Sequence, residues 1–393
     1  MTPLRSAAGQ ILGTFRTSGP LWIASLILDR VGLNTLRFWP QKKVLPDTLA
    51  AQITTILRRF GMSEEHASIT TEYMMYADLR GIDSHGCGML SHYHKALLTG
   101  LLTMTPRIEL IRENETTGLI DGGGGLGHVP GDVAMKLAIE KCGKTGMGAV
   151  AVRNSGHFGA AGAYALLAAR SGFIGIATTN TGVPAVVPTF GIEAMLGTNP
   201  IAFAAPAARN LPFLLDMATS TVPVGKLTMA SRMGRSIPTG WALGPDGMPV
   251  TNARLAVKHR RLTPLGSTRE MGSHKGYGLA TAVEILSAVL SGLRGTQDLA
   301  KKEPRVGHFS LAINPRQFRE EGEFEADMDR MIDSLRNSKP INSRQPVLVA
   351  GDPESSAYSE RSRSGIPLSR SVIEEIRTIC NASGVPFILE TKE

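Results

Sequence analysis

A histidine surrounded by glycines is the first candidate for chemistry. His157 lies in residues 153–159 (RNSGHFG), where an apolar stretch gives way to small residues. Glycines on both sides allow a ligand to approach the ring closely, and an imidazole titrates near neutral pH. A single loop histidine is more often structural than catalytic, but further polar clusters occur at Ser84–His85 and His274–Lys275. Together the three clusters predict an acid/base site.

Three glycines, Gly122, Gly124 and Gly127, match the G-x-G-x-x-G fingerprint of dinucleotide-binding folds. The pair Pro130–Gly131 follows before the helical pattern begins. The next predicted strand ends at Arg153–Asn154, where the fingerprint requires an acidic residue for the ribose. The glycines are therefore interpreted as a tight turn and not as a Rossmann site.

Other short motifs lack the geometry that their chemistry needs. Gly225–Lys226 imitates a phosphate loop, but Ser220 stands at the first glycine position and Leu227 replaces the hydroxyl residue. The run Asp83–Ser84–His85 has the residue types of a hydrolytic triad, yet triad members converge from distant parts of a chain. The two histidines of residues 92–94 point to different sides of a helix, so no metal site is predicted.

The elements that must position these residues follow from hydrophobic periodicity. Residues 45–77 predict two helices, broken at Gly61 and capped again by Ser63. Strands are predicted at 118–121, 148–153, 173–179, 201–205, 213–216, 309–313 and 347–350. Further helices are predicted at 132–142, 160–169, 277–290, 324–335 and 371–382. This mixture indicates an α/β or α+β enzyme.

Composition excludes several classes of protein. The 393 residues are 42% hydrophobic, which suits two or three domains around sizeable cores. The three cysteines are far apart, so neither a disulfide framework nor a zinc site is predicted, and a cytoplasmic location is expected. Much of the net charge of +8 lies in residues 1–43, which hold six basic residues and one acidic residue. The body of the chain is not basic, so nucleic-acid binding is not predicted.

Residues 1–43 are predicted to form a separate N-terminal extension. Their charge-free run at 17–28 has 12 residues, which is too short to cross a bilayer. We therefore expect no membrane association. An accessory helix, translation from an early start codon and a mitochondrial-type transit peptide remain as alternatives for this segment.

Six motifs in the chain resemble, in order, those of the malate/L-lactate dehydrogenase family. This family also includes ureidoglycolate and sulfolactate dehydrogenases and 2,3-diketogulonate and cyclic imine reductases. The motifs are residues 77–86 (ADLRGIDSHG), 154–159 (NSGHFG), 196–200 (LGTNP), 215–220 (LDMATS), 274–278 (HKGYG) and 350–354 (AGDPE). The resemblance covers residues 45–393.

The resemblance implies an α+β, non-Rossmann nicotinamide-binding fold with a mostly antiparallel sheet in the cofactor domain and a helical N-terminal domain. It also implies a homodimer with its active site between domains. The expected division is an extension at 1–43, a cofactor domain at 116–274, and a helical part for dimerisation and substrate made of 44–115 with 275–393.

By motif position, the resemblance implies that Ser84, His85 and His157 are the polar catalytic set. It implies cofactor contacts, to NAD or NADP, at Thr181, Asp216, Met217, His274, Lys275, Ala350, Gly351 and Asp352. Many family members carry an arginine four residues after the first histidine, and this chain has Met89 there. An arginine would hold a substrate carboxylate as a fork.

The expected activity is hydride transfer between NAD(P)H and a small 2-oxo or 2-hydroxy acid, with an imidazole supplying the proton. Two alternatives stay open at this point. One is reduction of a cyclic imine carboxylate, and the other is a nicotinamide-binding protein without turnover.

Overall fold

The computed structural model describes residues 41–293 and 306–390. Within these ranges the strands are β1 Gln41–Val44, β2 Glu109–Glu113, β3 Thr117–Asp121, β4 Met147–Ser155, β5 Ile174–Thr179, β6 Ile201–Ala205, β7 Phe213–Met217, β8 Val306–Ile313 and β9 Ile366–Ser369. The helices are α1 Pro46–Arg59, α2 Glu64–Leu79, α3 Leu90–Leu98, α4 His128–Thr145, α5 Ala161–Arg170, α6 Val224–Arg232, α7 Ala253–His259, α8 Ser273–Glu284, α9 Glu323–Arg336, α10 Asp352–Ser364 and α11 Arg370–Ser383. Short 3-10 turns lie at Cys87–Met89 and Pro315–Gln317, and α8 continues into a π-helical turn at Ile285–Val289.

A seven-stranded sheet forms the centre of the molecule, in the order β2-β3-β4-β8-β5-β6-β7. Only β3 and β4 pair in parallel, and α4 is the crossover between them. The other neighbours in this sheet are antiparallel. The structure therefore confirms the predicted α+β fold with a mostly antiparallel sheet.

The strand β8 joins two halves of this sheet. It pairs with β4 on one side and with β5 on the other, so that β2-β3-β4 and β5-β6-β7 meet only through it. Small and aliphatic residues of α4 and α5 pack against these strands and form the sheet's core, with Met135, Ala138, Val150, Ala165 and Ala202 fully buried. The central strand, predicted at 309–313, comes from residues 275–393, the part that the expected domain division places outside the cofactor domain.

The glycine-rich turn after β3 is closed by packing. Added side-chain atoms at Gly125 and Gly127 would overlap Pro106 and the Gly156 carbonyl, so neither position has room for a pyrophosphate. This agrees with the interpretation of a structural turn. One reason given for it is wrong, since α4 already begins at His128 and includes Pro130. Proline is tolerated there because the first-turn N–H groups lack intrahelical partners.

A second core holds the N-terminal helices. The apolar faces of α1, α2 and α11 share it, and Leu49, Ile53, Met74 and Ile376 are among its buried side chains. The Ser63 hydroxyl caps α2 by accepting a hydrogen bond from the His66 N–H at 3.2 Å, as the sequence predicted. The pair β1 and β9 forms a separate two-stranded sheet beside this core.

The predicted strand at 347–350 is wrong. The chain turns there, because the Asp352 carboxylate accepts a hydrogen bond from the Val349 N–H at 2.9 Å and the Ala350 carbonyl accepts one from the Leu214 N–H at 3.2 Å. The remaining predicted strands and helices are confirmed within a few residues at their ends. Seven elements were not predicted from the sequence, namely β1, β2, β9, α3, α6, α7 and α10.

Candidate active site

The loop that carries Ser84 and His85 is anchored by a buried carboxylate. Asp78, at the end of α2, is 1% exposed and accepts a hydrogen bond from the Cys87 N–H at 2.7 Å. Gly86 lies so close to this carboxylate that a Cβ atom would overlap it. Burial raises the pKa of Asp78 to about 7, against the Cys87 hydrogen bond, which lowers it. Asp78 thus fixes the turn directly after His85.

An arginine from α10 secures the other side of this loop. Arg361 donates to the Asp78 carbonyl at 2.6 Å and forms an ion pair with the Asp83 carboxylate. This ion pair joins residues that are 278 positions apart in the sequence. The C-terminal third of the chain therefore orients the loop that holds Ser84 and His85.

The loop after β4 is held in place by contacts with His308 of β8. The two His308 nitrogens lie 2.8 Å from the Thr179 hydroxyl and 2.9 Å from the Ser155 hydroxyl. The ring also stacks on Phe158, with centroids 4.4 Å apart and planes 5° from parallel. Ser155 and Phe158 flank residues 156–157, so these contacts fix the position of His157.

The structure brings Ser84, His85 and His157 together, as predicted. The two imidazoles stack with centroids 5.3 Å apart, and the Ser84 hydroxyl lies 2.8 Å from His85 Nδ1. Burial lowers the pKa of His85, and it lowers the pKa of His157 well below the ordinary value, with a further contribution from His85. Both rings are therefore neutral at pH 7.

Tyr93 completes this group, and the sequence analysis missed it. It lies on α3 with 1% exposure, and its hydroxyl is 2.7 Å from His157 Nδ1. The Gly159 N–H also donates to this nitrogen, at 3.3 Å. Because an amide N–H can only donate, Nδ1 is an acceptor and the proton of the neutral His157 ring sits on Nε2. No local pattern in the sequence marks Tyr93, because its role depends on a contact across 64 residues.

His128 lies behind the pair. It is fully buried, with centroids 6.4 Å from His157 and 5.9 Å from Tyr93. Neither of its nitrogens has a hydrogen-bond partner among the described residues. Burial lowers the pKa of His128 to about 3, so its ring is neutral.

A second group of predicted residues lines one cavity of about 290 Å³. Asp216, Ala350 and Gly351 face it, together with Tyr76 and Ile82. The volume lies near the lower end for ligand pockets, so it suits one half of a dinucleotide. The Tyr76 hydroxyl is buried without a partner in the described part of the chain, which leaves a donor for a bound polar group. These residues therefore fit part of a nicotinamide cofactor.

Three predicted cofactor residues show other contacts. Arg336 donates to both oxygens of Asp352, at 2.6 and 3.2 Å, so this carboxylate shapes the turn and is already paired. The Thr181 hydroxyl donates to the Val183 carbonyl at 3.3 Å. Met217 is the half-buried last residue of β7.

His274 and Lys275 form a third group at the start of α8. Both side chains are exposed, and His274 Nδ1 lies 2.9 Å from an Arg269 nitrogen. The adjacent residues Ser273 and Arg269 line another cavity, of about 420 Å³. The structure therefore places Asp216, Ala350 and Gly351 on one cavity and His274 and Lys275 beside another, while Thr181, Met217 and Asp352 line neither.

Met89 packs against the N-terminal core from its 3-10 turn. Its side chain is half-buried among aliphatic groups, as expected of a residue whose apolar atoms stabilise the core.

Within residues 41–293 and 306–390, no cluster of three metal-ligating side chains occurs. No helix of the same ranges is both long enough and apolar enough to cross a bilayer.

Comparisons with known proteins identify the family of this chain. A family model described as malate/L-lactate dehydrogenase matches residues 44–377. The chain is 43% identical to malate dehydrogenase of Pyrococcus abyssi over 87% of its own length and 95% of that protein. It is 38% identical to L-sulfolactate dehydrogenase of Methanocaldococcus jannaschii over 86% of its length and 97% of that protein.

A solved structure shares the fold as well. The crystal structure of malate dehydrogenase from Entamoeba histolytica superposes with a TM-score of 0.84 at 36% identity, covering 88% of this chain and 99% of that one. The matched family model spans most of the chain and contains both histidine loops. The chain therefore belongs to the malate/L-lactate dehydrogenase family.

Proposed function

We propose that the protein is an NAD(P)-dependent 2-hydroxy acid dehydrogenase, which oxidises a small 2-hydroxy acid and reduces the matching 2-oxo acid. The observation that carries this proposal is the stacked pair His85–His157 with the Tyr93 hydroxyl on His157 Nδ1. Dehydrogenases of malate and sulfolactate among its relatives support the acid class.

His157 acts through Nε2, the ring atom directed away from Tyr93 and Gly159. In reduction, the Nε2–H donates to the 2-oxo oxygen and passes its proton to the developing alkoxide. In the same step Nδ1 takes the Tyr93 hydroxyl proton, which solvent replaces, so the His157 ring ends neutral. The Tyr93 hydroxyl and the Gly159 N–H hold the ring in this tautomer, so no reorientation is needed during the reaction. His85 stacks on one face of the ring.

A bound nicotinamide cofactor supplies and accepts the hydride. Asp216, Ala350 and Gly351 bind it at the first cavity, and His274 and Lys275 bind it at the start of α8. We include Thr181, Met217 and Asp352 in the cofactor site on the strength of the family motifs alone. The predicted homodimer, cytoplasmic location and domain division are part of the same proposal.

The experiment that tests the proposal is a substrate panel. Purified enzyme is assayed with NADH and NADPH against pyruvate, oxaloacetate, sulfopyruvate and a cyclic imine carboxylate, and in reverse with the 2-hydroxy acids. Oxidation of the cofactor by a 2-oxo acid is the expected result. Turnover of the imine alone, or cofactor binding without any turnover, would contradict the proposal.

A further inference from the structure

The glycine turn at residues 122–127, between β3 and α4, uses its N–H groups to hold the loop that carries His157. Each of the three fingerprint glycines donates one hydrogen bond to that loop. The donors are Gly122, Gly124 and Gly127, and the acceptors are the carbonyls of Arg153, Asn154 and His157, at 2.8, 2.7 and 2.9 Å. In a dinucleotide-binding fold such N–H groups face the pyrophosphate. Here they are occupied by protein backbone.

Asp121, the last residue of β3, joins the two segments through its side chain. Its Oδ1 accepts hydrogen bonds from the Gly123 N–H at 3.0 Å and from the Asn154 side-chain amide at 2.6 Å. Its Oδ2 accepts a hydrogen bond from Arg153 Nε at 3.1 Å. One carboxylate thus binds the glycine turn and the loop with His157 at the same time.

Asn154 depends on these contacts because its backbone is left-handed, with φ at 53°. Asparagine adopts this region more readily than most residues with a side chain, but the conformation is still unfavourable. The pairing of β4 with β8 is also interrupted here by a bulge. The hydrogen bonds to Asp121 and from the Gly124 N–H fix this residue instead. They therefore set the direction in which the chain leaves β4 toward His157.

The other face of the glycine turn packs against the segment that follows α3, the helix of Tyr93. A Cβ atom at Gly123 would lie 2.6 Å from the Arg107 carbonyl oxygen, and one at Gly125 would lie 2.5 Å from Pro106. Because the chain is packed on both faces, the turn has no space for side chains at these positions. The glycine turn therefore lies between the segments that carry Tyr93 and its hydrogen-bond partner.

We propose that Asp121 is a positioning residue for His157 and acts through the glycine turn and Asn154, a conclusion that rests on the proposed function. Within the described ranges the hydrogen bonds of the Asp121 carboxylate go to Gly123, Arg153 and Asn154 and not to an imidazole. Its effect on the reaction is therefore an effect on the position of His157 Nε2. A displacement of about 1 Å in such a group costs on the order of 10²-fold in rate.

The first test compares Asp121→Ala with Asp121→Asn in the full-length enzyme. The alanine variant loses every contact of the carboxylate, so kcat is expected to fall about 10- to 100-fold. The asparagine variant keeps an oxygen for the Gly123 N–H and the Asn154 amide and loses only the charge beside Arg153. Its kcat should stay within about threefold of the parent, because a partly exposed ion pair contributes little.

NADH binding separates positioning from cofactor binding in the same two variants. Measured by fluorescence titration, the Kd for NADH should change less than about threefold in both, since the carboxylate acts on the proton donor. Equal losses of kcat in Asp121→Ala and Asp121→Asn, or parent-like kcat in Asp121→Ala, would overturn the proposal.

Gly127→Ala tests the glycine turn itself. A Cβ atom there would lie 2.4 Å from the Gly156 carbonyl oxygen and 2.7 Å from Phe158 Cβ, so the loop with His157 must move. We expect kcat to fall about 10- to 100-fold while NADH binding is kept. Gly143→Ala, near the other end of α4, is the matched control, because an added Cβ atom meets nothing within 4 Å in the described part of the chain. Its kcat should equal that of the parent. Loss of NADH binding in Gly127→Ala with kcat retained would restore the dinucleotide interpretation and contradict the proposal.

The ring signals of His157 give a readout that is independent of turnover. Carbon and nitrogen chemical shifts of isotope-labelled histidine report the ring tautomer, and the His157 signal is identified by its loss in His157→Ala. The parent is expected to show the Nε2–H tautomer, and Asp121→Ala a mixture of tautomers. The ring of His94, which stacks on Phe60, should be unchanged. An unchanged His157 signal in Asp121→Ala would overturn the proposal. If the signal changes but no 2-oxo acid is reduced by the parent, only the proposed function is refuted.

Discussion

The imidazole rings of His85 and His157 face each other with their centroids 5.3 Å apart and their planes inclined by 26°. His85 lies in the loop after α2, and His157 lies in the loop after β4. Two positive charges at this distance repel each other strongly in a water-poor site, so the pair holds at most one added proton near neutral pH. The two rings therefore work as one acid/base unit.

Removing either ring should affect turnover and spare cofactor binding. His157→Ala and His85→Ala are each expected to lower kcat by roughly 10² to 10⁴, the usual range for a general acid or base. Because the rings act as a unit, the double variant should lose little more than the worse single variant. Steady-state rates and NADH fluorescence titrations measure the two effects. Additive losses, or turnover near that of the parent, would show that the rings do not cooperate.

Tyr93→Phe should change catalysis through the orientation of His157. Loss of the 2.7 Å contact to Nδ1 leaves the Gly159 N–H as a weaker support, so kcat is expected to fall about 3- to 10-fold. Tyr73→Phe is the comparison, since the Tyr73 hydroxyl donates to Asp132 at 2.8 Å. It should lower the thermal midpoint and leave kcat close to that of the parent. A Tyr93 variant that loses stability but keeps kcat would assign that hydroxyl to folding alone.

Two buried histidines should make stability depend on pH. Burial lowers the pKa of His128 and of His308 to about 3, below the unfolded value of about 6.5. Between these values the unfolded chain binds more protons, so stability is expected to fall as pH decreases from 6.5, by up to about 1.4 kcal/mol per pH unit and histidine.

Replacing each ring separates titration from hydrogen bonding. His128→Phe should flatten the pH dependence and keep stability at pH 7, because the His128 nitrogens have no partners in the described ranges. His308→Phe should lose about 1 to 3 kcal/mol at pH 7, because the hydroxyls of Ser155 and Thr179 each lose a hydrogen-bond partner. This loss should become smaller as the pH falls, because the variant also lacks the titration of His308. Unfolding midpoints from pH 4.5 to 8 provide the check. Equal slopes in the parent and in His128→Phe would exclude His128 as a source of the dependence.

Met89→Arg tests whether the departure from the family motif affects specificity. Because Met89 packs on the N-terminal core, we expect a loss of about 1 to 3 kcal/mol in stability. The ratio of kcat/KM for pyruvate and oxaloacetate should change less than about twofold, within the spread of such measurements. A shifted ratio in a variant of unchanged stability would instead place position 89 in the substrate pocket.

Truncation tests whether residues 1–43 are separable. Deleting residues 1–40 should leave an active enzyme, because β1 and its pairing with β9 remain. Deleting residues 1–44 removes β1, including Val44, which is 1% exposed, and should lower the thermal midpoint. Thermal melts and activity of the two truncated proteins give the answer. A matching loss in both would assign a structural role to the first 40 residues.

Elements with strong hydrophobic periodicity were predictable from the sequence, while very short strands were not. The alternation of large and small residues in β6 located Ile201–Ala205 with its correct bounds. The four-residue strands β1 and β9 are too short to show a pattern, and each forms only in contact with the other. The turn at 347–350 has the composition of a strand, but its backbone groups bond to Leu214 and Asp352.

The same limit applies to the candidate site. His85 and His157 could be recognised from residue type and from motifs shared with the family. Tyr93 acquires its role from a contact across 64 residues, and Asp78 from a buried contact to Cys87. Neither role has a local signature, because it depends on which loops the fold brings together.

The position of β8 has a consequence for synthesis. His308 is separated from Thr179 by 129 residues, so ribosomes complete both halves of the sheet well before the strand that joins them. Until then β4 and β5 each expose a row of unpaired backbone groups, which invites pairing with other nascent chains. The loop with His157 also lacks its contacts with His308 until β8 has been synthesised. The protein can therefore become active only late in translation, when β8 has been synthesised and pairs with both β4 and β5.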